Sequence, residues 1–187
     1  MTEPRAPRAD ARRNRAILLD VAAEVVAEQG AQASLRDIAR RAGVGMGTLY
    51  RHFATREELL GALLGARFDR LAARADALAA ELPPLEALTA WLDEFTAGTT
   101  VYRGLAPSLM ASADGDSPLK ASCDAFREAG GRLLARAQAS GDIRPDVDGG
   151  DLFALAGGVA TVVDQSPVLA ARRERLIELI LGGLRAR

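Results

Sequence analysis

Chemically reactive side chains are scarce in this 187-residue chain, which holds one cysteine, Cys123, and one histidine, His52. Cys123 has no partner for an internal disulfide, and one Cys with one His cannot furnish the four ligands of a usual zinc site. No paired carboxylates and no nucleophile with its base stand out, so neither an enzyme nor a metal or cofactor protein is expected. Strand formers are sparse too. Val and Ile total 15 against 38 Ala. Ala is the best helix former and β-branched residues favour strands, so the composition predicts an all-α fold. Long apolar runs are missing. The longest, Leu152 to Val163, is 12 residues between Asp151 and Asp164, too short to span a bilayer. No apolar segment follows the polar N-terminus, so a cytoplasmic protein without a membrane partner is expected. What is present is a 49% apolar complement, enough to bury a core and to exclude a disordered chain.

The near-neutral total hides a gradient. Residues 1–56 carry ten arginines against six acids, a charge of +4, which leaves −5 for the rest of the chain. An excess of this size fits an end that faces a polyanion, and a solvated surface equally well. Lys120 is the only lysine.

Residues 1–9 carry Pro and Arg without apolar periodicity and read as a disordered tail. A helix is expected over about Asp10–Gln29. Ile17, Val21 and Val25 recur every four residues beside Leu18, Ala22 and Val26, and Gly30 ends the run. Ser34 with Asp37 three residues on is a capping-box pattern opening a short helix over about Leu35–Ala42. Gly43 breaks it, and a second short helix runs over about Gly45–Arg51. Ala39, Gly43 and Leu49 fall at offsets of zero, four and ten. A helix-turn-helix needs a small residue where its helices cross, a glycine at the turn and an apolar anchor in the second helix. Ile38, Val44 and Phe53 supply further apolar contacts. Thr55 and Glu58 form another capping pair, which opens a long helix stopped by Pro83-Pro84.

Ser34 to Val44, Thr48-Leu49-Tyr50-Arg51-His52-Phe53 and Arg56 to Leu60 together resemble the DNA-binding domain of tetracycline-repressor-type (TetR) transcriptional regulators. The match covers about residues 12–64. The remainder is similar in layout, and Gly141 to Val147 with the apolar helix after it resembles one effector-domain branch of that family. After the tail (1–9), the resemblance implies a DNA-binding head (10–56, with the motif at about 34–53) and an effector-binding and dimerisation body (57–187).

The second helix of such a motif fits the major groove, where outward side chains meet base edges. With Leu49 and Phe53 buried, Gly45, Met46, Gly47, Thr48, Tyr50 and Arg51 face outward. The resemblance implies that Thr48 and Tyr50 touch phosphates or bases, that His52 lies near the DNA backbone and that Arg56 contacts phosphate at a helix N-terminus. Many relatives carry Ser where this chain has Gly45. Glycine caps acceptably but brings no side chain, so direct readout falls to Met46, Thr48, Arg51 and Arg36. Arg12, Arg13 and Arg15 fit either a phosphate grip or a wet helix face.

Further helices are expected over about 85–97, 105–113, 118–140, 151–164 and 168–184. The last two are strongly apolar, and the resemblance implies that they pair with their counterparts in a second copy as a four-helix bundle. It also implies a small-molecule cavity, for which Trp91, Phe95, Tyr102, Leu109, Met110 and Phe126 are the candidates. Few charges fall in these stripes, which favours an apolar or aromatic effector. The expected function is a homodimeric, ligand-responsive regulator that binds double-stranded operator DNA, a repressor released from a pseudo-palindromic site. The alternatives are a helical ligand carrier or a protein-interaction module in which the helix-turn-helix is scaffold only.

Overall fold

The computed structural model describes residues 7–97 and 117–186, and within them the chain is helical without a strand. The first helix, α1, spans Pro7–Gln29. It starts earlier than expected, because proline fits the first helical turn, where its missing N–H would have been unpaired anyway. Residues 7–9 therefore belong to a helix rather than to a tail, and residues 1–6 lie outside the described residues. The buried stripe is also shifted. Leu18, Ala22, Val25 and Val26 are buried, while Ile17 is 44% exposed. A 3-10 turn, Gly30–Gln32, links α1 to α2 (Leu35–Arg41).

Ser34 caps α2 as expected, its Oγ accepting the Asp37 N–H at 3.4 Å. The reciprocal half of the box is taken elsewhere. The Ser34 N–H donates to Gln29 Oε1 at 3.1 Å, while Asp37 receives Gln29, Arg40 and Arg41. Two cations one turn ahead of Asp37 outcompete a single backbone N–H. Gly43 adopts φ +68°, the left-handed turn that favours glycine, and α3 follows over Met46–His52. Ile38, Ala39, Leu49 and Phe53 are all buried, in one core cluster with residues of α1 and the start of α4.

Helix α4 (Arg56–Glu81) begins in the head and ends at the far end of the body. Thr55 Oγ1 accepts the Glu58 N–H at 3.0 Å, and Glu58 reaches past the cap to the Ala54 N–H at 2.7 Å. At 1.5 Å per residue this rod is about 39 Å long. Helix α5 (Pro84–Ala97) returns antiparallel to it, and α6 (Pro118–Ala139) runs alongside in the same direction. Ser117 and Pro118 open α6 as expected, with Ser117 Oγ accepting the Lys120 N–H. Phe68 of α4 stacks on Phe126 of α6 with centroids 5.0 Å apart. Farther along the same pair of helices, Arg132 reaches Asp76 at 2.8 Å.

Helix α7 (Gly149–Gln165) starts from a complete capping box between Asp148 and Asp151. The expected single helix over 168–184 is in fact two, α8 (Pro167–Ala170) and α9 (Arg173–Leu184). No helix breaker stands between them. The turn lets Arg173 fork onto Asp93 of α5, with both bonds at 3.0 Å, while Ile177, Leu181 and Leu184 enter the core. Among the described residues no helix is long and apolar enough to cross a membrane.

Candidate nucleic-acid interface

The geometry of α3 follows from which of its residues the head must bury. Leu49 is 1% exposed and Phe53, at its C-cap, is fully covered. Residues four apart share a helix face, so Gly47 and Arg51 stand together on the side opposite Leu49. Both are exposed. Tyr50 flanks them with 49% of its surface in solvent. Thr48 flanks the other side, half-buried, and Met46 is half-buried against the core. Gly45 caps α3 without a side-chain bond, and a Cβ added at Gly45 or Gly47 would point into open space.

Arg51 is the charged residue on this face. Its Nε donates to the Gly47 carbonyl at 3.2 Å and its Nη2 to Thr48 Oγ1 at 3.1 Å. No carboxylate pairs with it among the described residues. The neighbouring arginines differ. Arg40 bonds to Asp37, and Arg41 reaches both Asp37 and the carboxylate of Glu28, the latter at 2.7 and 2.9 Å. The Arg40 hydrogen bond is the main reason the Asp37 carboxyl is held below its ordinary range, and Arg41 does the same for Glu28. These acids neutralise one side of α2 and tie it to α1.

The remaining predicted residues surround α3. Arg36 is exposed on α2. His52 is half-buried at the last turn of α3, and Arg56 is the first residue of α4. A long helix end of this kind attracts an anion, which fits a phosphate there. Arg15 lies over the Phe53 ring, 4.9 Å from its centroid. It thus rests its cation on the residue that ends α3. Sequence reasoning missed this contact, and it missed the Gln29 and Glu28 partners of α2. The i, i+3 and i, i+4 spacing of Asp37, Arg40 and Arg41 was the available signal.

The predicted effector residues separate into two groups. Trp91 is fully buried, its indole N–H donating to the Leu71 carbonyl at 2.7 Å, and Phe126 is 4% exposed. Their rings lie 5.0 Å apart, with Phe95 and Phe153 against them. These rings pack on one another as part of the core. Phe95 is half-buried at the edge of the cluster. Tyr102, Leu109 and Met110 lie outside the described residues. Open grooves occur elsewhere. One of about 460 Å³ is lined by Arg15, Leu19, Glu58, Ala62, Leu119 and Ser122, where head meets body. Another of about 830 Å³ runs between α5 and α9, past Leu85, Glu86, Ile177, Glu178 and Leu181.

The expected dimer helices carry an uncovered apolar face. Leu155 and Val162 of α7 are 41% and 44% exposed, and Leu179 of α9 is 53% exposed. Gly158 on α7 and Gly182 and Gly183 on α9 would each offer an added Cβ open space.

Comparison with known proteins covers both halves of the chain. Residues 18–63 match the family model described as bacterial regulatory proteins, tetR family, and residues 83–186 match the model of the C-terminal domain of SbtR-like transcriptional regulators. A crystal structure of the TetR transcriptional regulator SCO0520 from Streptomyces coelicolor is 40% identical. The match covers 92% of this chain and 98% of that one, with a TM-score of 0.72. A TetR transcription regulatory protein from Mycobacterium vanbaalenii is 35% identical over 97% of this chain and 100% of its own, with a TM-score of 0.70. The transcriptional repressor KstR2 of Mycobacterium tuberculosis is 45% identical over 73 residues, 38% of this chain. That match spans 36% of the repressor's own length.

Proposed function

Because the chain belongs to the TetR family of bacterial transcriptional regulators, we propose that it works as a homodimeric, effector-responsive repressor on a pseudo-palindromic DNA site. The observation that carries this reading is the outward face of α3. Arg51, Thr48, Tyr50 and bare Gly47 are presented together there on a helix anchored by Leu49 and Phe53. A rigid helix with exposed polar residues and no carboxylate beside its arginine suits a polyanion's major groove. On this reading Arg36, exposed on α2, and Arg56, at the start of α4, hold phosphates.

The exposed apolar face of α7 and α9 supports a second copy, since monomers rarely leave such faces uncovered. Two heads in one dimer then meet half-sites about 34–36 Å apart, or a multiple of that. Regulation follows from α4, whose first residue opens beside α3 and whose later turns pack on α5 and α6. An apolar or aromatic effector that parts the Phe95–Phe126–Phe153 cluster tilts this rod and spoils the spacing of the heads. Effector and operator oppose each other reciprocally, with a coupling of about 1–3 kcal/mol.

The test is a gel shift on the DNA upstream of the protein's own gene, across a range of salt. Specific retention that weakens steeply with salt supports the reading. Retention of that DNA no better than of random duplex refutes it.

A further inference from the structure

We propose that Arg51, Thr48 and Gly47 act as one unit that reads a guanine in each half-site. This rests on the DNA-binding function proposed above and adds which base the head selects. A guanidinium carries five N–H donors in a fixed planar fork. Here one side of that fork is already held by the protein, Nε on the Gly47 carbonyl and Nη2 on Thr48 Oγ1. Two such bonds leave three of the five N–H donors over, and the parallel pair at the end of the fork, one on each Nη, is the pair assigned to the base. That pair matches the two acceptors guanine shows in the major groove, N7 and O6. Adenine shows an acceptor beside a donor there and meets one of the two N–H groups with another N–H.

Three features of the head favour this use over a phosphate contact. The grip on Gly47 and Thr48 fixes the plane and direction of the fork before DNA arrives, so little freedom is lost on binding. Gly47 has no side chain, and the space beside it is open, so a base edge can come close to the helix. Arg40 and Arg41 are engaged by acids, whereas Arg51 has no acidic partner among the described residues and its outward N–H groups stay available. Thr48 accepts from Arg51 through its oxygen, and its own O–H is left to donate to a neighbouring base or phosphate.

Selection from a randomised duplex library, run with wild type, Arg51→Ala, Arg51→Lys and Thr48→Val, tests the unit. Wild type should enrich a two-fold motif with a guanine fixed in each half. On that motif a guanine-to-adenine change should weaken wild-type binding roughly five- to 150-fold. Arg51→Ala should enrich the same flanking bases with the guanine position left degenerate, and should bind both duplexes equally. Arg51→Lys, a point charge without a fork, should not restore the guanine. Thr48→Val should reduce the guanine preference without abolishing it. An unchanged motif in Arg51→Ala, with a salt slope shallower by one phosphate, would overturn the proposal and make Arg51 a backbone contact. If wild type enriches no sequence, the DNA-binding reading fails first and this unit falls with it.

Discussion

Among the described glycines, Gly130 on α6 has the tightest surroundings, and replacing it with alanine has a calculable consequence. A Cβ there would lie 2.6 Å from Trp91 Cη2, 2.7 Å from Phe153 Cζ and 2.8 Å from Trp91 Cζ3. Ordinary carbon contacts lie near 3.5–4.0 Å, so both rings, or the helix that carries the glycine, must give by nearly an ångström. Trp91 cannot yield cheaply, because it is fully buried, bonded to the Leu71 carbonyl and stacked on Phe126. Overpacking of this kind costs about 1–3 kcal/mol, and alanine returns about 1 kcal/mol in helix propensity. The net is a loss of between zero and about 2 kcal/mol. Gly131 is the matched control, since a Cβ there meets nothing within 4 Å. Gly131→Ala should gain up to about 1 kcal/mol. Urea unfolding followed by circular dichroism should therefore separate the two variants by about 1–3 kcal/mol, in opposite directions from wild type. Phe153→Leu added to Gly130→Ala should recover part of the loss, because the half-buried ring is the wall that can give. Equal shifts in both glycine variants would refute the claim that the aromatic cluster is closed.

Leu49→Ala should cost the head roughly 2–5 kcal/mol by opening a cavity under α3, and operator affinity should fall with it; wild-type thermal unfolding of the head would contradict this. Arg56→Ala should weaken all DNA alike and lower the salt slope by about 0.9, the share of one neutralised phosphate, so an identical slope would show that Arg56 does not touch the DNA backbone. Asp37 and Glu28 have folded pKa values below their ordinary ones, so their contribution is complete above the usual carboxylate range and fades as the pH drops through the lowered values. Stability of the wild-type head should thus decline below about pH 4, and Asp37→Asn should be weaker at neutral pH with a shallower acid decline, both read from urea midpoints at a series of pH values.

The head was largely legible because its determinants are local. Ala39, Gly43 and Leu49 sit within a dozen residues of one another, and their types alone demand a crossing, a turn and an anchor. Side-chain partners were less so. The spacing of Asp37 to Ser34 points to a backbone N–H, but Arg40 and Arg41, one turn on, and Gln29 from the preceding helix decide where it bonds. In α1 the four-residue repeat through Ile17 is as regular as the one through Leu18, and only docking onto the head selects between them.

The body was legible as helices and opaque as a site. Trp91, Phe95 and Phe126 were recognisable as an aromatic group, yet a lined cavity and a closed core share the same stripe. The packing itself depends on Gly130, whose missing side chain lets Trp91 and Phe153 meet over α6. The break before α9 had no local sign either. It follows from the Arg173–Asp93 fork, which joins residues 80 positions apart. The grooves arise the same way, between helices far apart in sequence.

Footprinting of the protein on its selected duplex, with dimethyl sulfate as the major-groove probe, tests most directly whether α3 reads bases from two heads at once. The account predicts two protected major-groove patches on one side of the duplex, centred about 34–36 Å apart or a multiple of that, and both absent with Leu49→Ala. A single patch, or protection confined to the minor groove, would contradict it.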